Sequence, residues 1–231
     1  MLNLYIMKIP FSPPRIDQKT IDEVNETLLS GWITTGPKTI LFEKKLANYI
    51  GVNEVICLNS GTAGLQMVIN WLGIKNGDEV IVPAYTYCAT ANVVLQSGAK
   101  PIMADIKKDD FNIDISKIEN LITKKTKAII AVDIAGVPAD YNEIKKIICS
   151  KRILKLFKYN NEIQKKLGRI ALISDAAHSI GAEYYDKKTG NQADMSSFSF
   201  HAVKNLTTAE GGALALNLPK DFNEKKIKQY F

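Results

Sequence analysis

The sequence predicts an α/β domain: a three-layer arrangement with a mainly parallel sheet flanked by helices. Two observations carry this. Short Val- and Ile-rich runs alternate with longer stretches whose apolar residues recur at helical spacing, the βαβ order that builds parallel sheets. Those runs also mostly lack the apolar–polar alternation of a half-solvated strand, as strands buried on both faces should. At 231 residues the chain can bury a substantial core as one such domain.

The elements follow in order. Thr20–Ser30 places Ile21, Val24 and Leu28 at helical spacing and stops at Gly31. After the loop Trp32–Pro37, a second helix carries Phe42, Leu46 and Ile50, with Gly51 as its C-cap. Val55–Leu58 reads as a strand, Thr62–Leu72 as a helix and Glu79–Val82 as a strand. A Tyr/Ala-rich helix runs to about Gln96. Pro101–Ala104 is a strand, Asp114 or Ser116 caps a helix, and Lys127–Ile134 is a strand. A basic amphipathic helical stretch leads to a strand at Arg169–Ser174. Past Glu183 two further strands, Ala193–Phe200 and Gly212–Asn217, bracket a loop that carries Lys204.

Composition excludes several classes. No apolar run approaches the roughly 20 residues that span a bilayer. The N-terminus is too short and lacks the basic region of a secretory leader, and Met7 could serve as the start as well as Met1. The odd set Cys57, Cys88 and Cys149 reads as reduced core cysteines of a cytosolic protein. The net charge of +6 is local: between Asn142 and Arg169 nine Lys/Arg face only Glu143 and Glu162. Interleaved Ile144, Ile148 and Leu154 make this a solvated helix face, and no stacking aromatics point to nucleic acid.

One constellation carries chemistry. Lys204 lies in a small, apolar, Ser-containing segment, Ser197–Gly212, where burial would lower its pKa and free its lone pair. Asp175 ends the apolar run that begins at Ile170. Pyridoxal phosphate needs both groups, a lysine to form an imine and a carboxylate to keep its ring nitrogen protonated. Alone, Lys204 also reads as a snorkelling side chain and Asp175 as a turn or helix N-cap. Asn59–Gly64 supplies a third part: strand, Gly-containing turn and helix N-terminus, whose free N–H groups attract phosphate.

Six segments, Ser30–Lys38, Ser60–Ala63, Gly77–Val80, Gly98–Pro101, Asp175–His178 and Phe198–Lys204 with Glu210-Gly-Gly212, resemble the DegT/DnrJ/StrS family. These are pyridoxal-phosphate-dependent, fold-type I sugar-nucleotide aminotransferases, and the likeness is nearest to enzymes that aminate C4 of a UDP-linked 4-keto sugar. The resemblance implies roles. Lys204 matches the imine-forming lysine and proton shuttle, and Asp175 the partner of the ring nitrogen. His178 matches the residue beside the ring's phenolic oxygen, and Tyr87 the aromatic that stacks on the ring. Thr62, Ala63 and Ser199 match phosphate-holding positions. No metal is implied. A dehydrating branch carries His in place of this lysine, so Lys204 favours amino transfer.

The resemblance further implies glutamate as amino donor, a cytoplasmic homodimer and a role in amino-sugar biosynthesis for cell-surface polysaccharide. Three departures stand out. Asp133 occupies a position where the family usually has His, as a harmless sheet-end change or an altered substrate pocket. The Cys149–Gly168 connection is longer than the family's. Family members continue well past the position of Phe231, so residues 1–231 read as a truncated large domain without the small C-terminal domain. The alternative function is an inactive remnant, or one half of a split enzyme that only binds cofactor or partner.

Overall fold

Residues 9–10 and 12–231 are described by a computed structural model. Both candidate starts, Met1 and Met7, lie outside them. Helix α1 (Gln18–Leu29) begins where Asp17 accepts a hydrogen bond from the Thr20 amide. It buries none of its residues, so Ile21, Val24 and Leu28 form the expected stripe but leave it exposed. Helix α2 (Pro37–Ile50) has proline in its first turn and ends at Gly51, whose φ of 80° only glycine adopts readily.

Then follow β1 (Glu54–Leu58), α3 (Gly61–Trp71), β2 (Glu79–Pro83), α4 (Cys88–Gln96) and β3 (Lys100–Ala104). Next come α5 (Ile115–Leu121), capped by Asp114, and β4 (Thr126–Val132). After the basic stretch come β5 (Ala171–Asp175), β8 (Met195–Ser199) and β9 (Gly212–Leu216). A small hairpin, β6 (Glu183–Tyr184) with β7 (Lys187–Lys188), and a last helix, α9 (Glu224–Tyr230), were not expected. Both are too short to leave a periodic signal.

The basic stretch is three short helices instead of one: α6 (Tyr141–Ile148), α7 (Lys151–Leu156) and α8 (Glu162–Leu167). Ser150 and Asn161 accept hydrogen bonds from Ile153 N and Gln164 N, and so start new helices. The long connection folds back on the sheet. There Lys127 Nζ donates to the Lys158 carbonyl at 2.5 Å and lies 5.8 Å from the centre of the Phe157 ring.

The seven-stranded sheet runs β1-β9-β8-β5-β4-β2-β3. The β8-β5-β4-β2-β3 block is parallel, and β9 runs antiparallel to both β8 and β1. The mainly parallel, three-layer expectation therefore holds. Alternate residues of each strand serve opposite layers. Ala128 and Ile130 of β4 pack with α3 and α4, while Ile129 and Ala131 pack with α5 and α6. All seven β4 residues are buried, which is why Ala128–Val132 is continuously apolar. A third cluster joins Leu46 and Ile50 of α2 to Phe198, Ala213 and Ala215. The cysteine expectation fails in part. All three are free, but Cys88 and Cys149 are exposed and only Cys57 is partly buried. No helix among the described residues is long and apolar enough to cross a membrane.

Candidate active site

Strands β1, β2, β4, β5 and β8 point the same way, so their carboxyl ends share one edge of the sheet. Ligands of open α/β sheets bind there. A cavity of about 430 Å³ opens at this edge, within the range of small-molecule sites. Its lining brings together Thr62, Tyr87, Asp175, His178, Ser199 and Lys204, residues far apart in sequence.

One wall is the N-terminus of α3. Ser60, extended at φ −166°, accepts a hydrogen bond from the Ala63 amide and starts the helix. Ser197 Oγ donates to the Gly61 carbonyl at 2.7 Å, tying this turn to β8. The approach is too close for side chains: a Cβ on Gly212 would sit 2.4 Å from Ser60 C and 2.6 Å from Gly61 N. Thr62 and Ser199 thereby line the same cavity from separate segments. Ala63 does not line it, and its N–H is spent on the Ser60 cap. Gly212→Ala should therefore push the α3 N-terminus off the sheet and cost roughly 1–3 kcal/mol. A thermal melt, with circular dichroism to confirm the fold, measures this.

Asp175 ends β5 and is buried. Its Oδ2 accepts from Thr90 Oγ1 at 2.7 Å, and Thr90 Oγ1 lies 2.8 Å from Thr86 Oγ1. The Ala177 amide reaches Oδ1 at 3.3 Å. A turn, not a helix, follows Asp175, so the helix-cap alternative has nothing to cap. Burial raises the Asp175 pKa, and the Thr90 hydrogen bond is the largest opposing influence. Burial also lowers the pKa of His178, helped by the Lys204 charge and opposed by Asp175. Lys204 lies in the β8–β9 connection, with its amide donated to the His201 carbonyl. Its ammonium has no hydrogen-bond partner among the described residues. Burial lowers its pKa while the charge of Asp175 acts the other way. Tyr87 precedes α4, exposed at the cavity.

Sequence reasoning missed Thr86 and Thr90. Both lay in the segment singled out for its aromatics, but nothing local shows that Thr90 reaches 85 positions ahead to Asp175. Asp133, offered as a change in the substrate pocket, does not line the cavity. It points away while its neighbours Val132 and Ile134 face in.

These residues fit pyridoxal phosphate on their own chemistry. An unencumbered lysine and a buried carboxylate share the cavity with a helix N-terminus, two hydroxyls and an exposed aromatic ring. The fold is that of fold-type I pyridoxal-phosphate enzymes, and the lining of this cavity suits that cofactor.

The model of the DegT/DnrJ/EryC1/StrS aminotransferase family matches residues 14–159 and 160–229, and the chain belongs to that family. The family is pyridoxal-phosphate-dependent, and its members include sugar aminotransferases. The uncharacterized protein MJ1066 of Methanocaldococcus jannaschii is 47% identical over 204 residues, covering 88% of this chain and 48% of its own length. Spr1654, a putative sugar aminotransferase of Streptococcus pneumoniae solved in PLP, PMP and apo forms, is 43% identical with a TM-score of 0.93, covering 96% of this chain and 56% of that one. Helicobacter pylori PseC, an aminotransferase of pseudoaminic acid biosynthesis, is 33% identical with a TM-score of 0.78, covering 97% and 55%. The chain thus spans about half the length of the relatives it matches.

Proposed function

We propose that this chain carries the cofactor-binding half of an aminotransferase that moves an amino group from an amino acid, glutamate, to a nucleotide-linked 4-keto sugar. In this reading residues 1–231 belong to a truncated large domain, and the intact enzyme is a homodimer that makes amino sugars for surface polysaccharide. The observation that carries it is the convergence of Lys204, Asp175 and the Thr62–Ser199 pair on one cavity. The exposed stripe of α1, with Trp32 and Ile33 beyond it, supports assembly. Three free cysteines support a cytoplasmic setting.

When bound, the cofactor supplies an electron sink that stabilises charge on the carbon losing its proton. The chain's residues do the rest. Lys204 Nζ, with its pKa lowered by burial, would hold the cofactor and serve as the group that moves the proton at the reacting carbon. Asp175, its orientation fixed by Thr90, would pair with the ring nitrogen and keep it protonated. His178 would lie beside the phenolic oxygen, Tyr87 would cover a ring face, and Thr62 and Ser199 would hold the phosphate at the start of α3.

Each hydrogen bond to a phosphate contributes about 1.5–3 kcal/mol. Thr62→Ala and Ser199→Ala should each weaken cofactor affinity about tenfold or more, read by absorbance titration. Unchanged affinity in both would return the turn to a purely structural role. The function itself is tested by giving the purified chain pyridoxal phosphate, glutamate and a panel of UDP- and dTDP-linked 4-keto sugars. A second arm adds the C-terminal half of a full-length relative. Cofactor binding with turnover in either arm supports the reading, and absence of both in each arm refutes it.

A further inference from the structure

Behind the cavity lies a closed polar cluster that the reaction does not use directly. Asp133 is 1% exposed and sits at the end of β4. Its Oδ1 accepts from the Ala139 amide at 3.0 Å and from the Tyr141 hydroxyl at 2.6 Å, and its Oδ2 accepts from Ser179 Oγ at 2.6 Å. Tyr141 Oη also lies 2.6 Å from Ser174 Oγ. With its proton given to Asp133, Tyr141 receives the proton of Ser174. The Asp133 amide donates to the Asp175 carbonyl at 3.1 Å. One carboxylate thus ties together the residue before Asp175, the residue after His178, and the loop from residue 134 to 139.

That loop supports the same turn from a second side. Ala135 and Gly136 take positive φ values of 50° and 86°, and a Cβ on Gly136 would lie 3.1 Å from the His178 carbonyl. An alanine with positive φ persists only where its surroundings fix it. Two buried side chains anchor that loop: Asp133 at the Ala139 amide, and Asn112, which donates to the Val137 and Pro138 carbonyls and accepts from the Ile134 amide. Burial pushes the Asp133 carboxyl up to about 6, against the pull of Ser179, Tyr141 and Ala139. A carboxylate kept buried at that cost with three donors on it is a tightly specified feature.

We propose that Asp133 is a positioning residue: from outside the cavity it sets the aim of His178 and Asp175, by clamping the turn from residue 176 to 179 directly at Ser179 and the end of β5 at Ser174 through the Tyr141 hydroxyl. It touches no substrate and no cofactor. The proposal rests on the cofactor reading of the site, but its main readout needs no cofactor.

The chain has only two histidines, His178 and His201, so its imidazole NMR spectrum contains two signals that His201→Gln assigns. In cofactor-free protein, Asp133→Ala should shift the His178 resonance and leave that of His201 in place. It should also weaken pyridoxal phosphate binding about tenfold, the loss of a charged hydrogen-bond set acting through geometry. Asp133→Asn keeps the oxygen for Tyr141 and Ala139 and lets the Ser179 hydroxyl turn to accept. It should restore the resonance and hold affinity within about twofold. A merely structural residue would lower the melting temperature with both readouts unchanged, and that result in a folded Asp133→Ala protein overturns the proposal. If Asp133→Ala does not fold, Ser179→Ala removes one donor at the clamp. An unmoved His178 resonance there overturns it equally.

Discussion

Lys204→Ala should abolish amino transfer by more than about 10⁴-fold in the assembled enzyme, because proton shuttling alone contributes about 10²–10⁴ and the covalent tether is lost as well. The fold should survive. The Lys204 ammonium has no hydrogen-bond partner among the described residues, and the loop backbone is held independently by the Phe200–Gly211 and Thr208–Phe200 hydrogen bonds. The direct measurement is chemical. Borohydride added to the chain with pyridoxal phosphate should attach the cofactor to a single peptide, the one containing Lys204. In Lys204→Ala the label should disappear. Label on any other lysine, among the 30 Lys and Arg of the chain, would reassign the nucleophile.

Asp175→Asn separates chemistry from stability. Transfer should fall by orders of magnitude, since a neutral amide does not hold a proton on the ring nitrogen. Stability should move the other way. Burial raises the Asp175 pKa. A raised folded-state pKa contributes stability that is full below the unfolded value and is lost as pH rises through the folded one, so at neutral pH the ionised group is a cost. The asparagine oxygen still accepts from Thr90. The cofactor-free variant should melt no lower than the parent at pH 7, and the difference should shrink in acid. A lower melting temperature at neutral pH would mean that the carboxylate is a structural anchor. Near-normal turnover would remove its catalytic role.

Much of this was legible because the physics was local. Every strand of the large sheet was anticipated, since strands covered by helices on both faces show apolar runs without alternation, such as the one at 128–132. The lysine and aspartate were readable because each is an ionisable group set among small and apolar residues, Asp175 at the end of an apolar run and Lys204 in a Ser-, Phe- and Gly-containing segment. What escaped depends on tertiary contact. Thr90 earns its place only through a hydrogen bond across the sheet. The sequence alone leaves Asp133 between a harmless sheet-end change and an altered pocket, because its place relative to the cavity depends on which way the chain turns after β4, and Val132 and Ile134 face the cavity while Asp133 does not. Ala63 read as a phosphate ligand, but the Ser60 side chain takes its amide. The basic stretch shows helical periodicity throughout, and Ser150 and Asn161 break it only by capping.

Strand β1 lies at the sheet edge and pairs only with β9, residues 54–58 against 212–216. The turn at Ser60 therefore takes its position only when segments some 150 residues apart meet. Contacts of such high sequence separation form late, because the chain between them must lose its freedom before they repay it. A ribosome-bound chain that has not yet exposed β9 has Asp175 already in its strand but no seat for the phosphate. Uptake of the cofactor should then mark the last stage of folding, and vitamin supply would act on finished domains and not on those still being made.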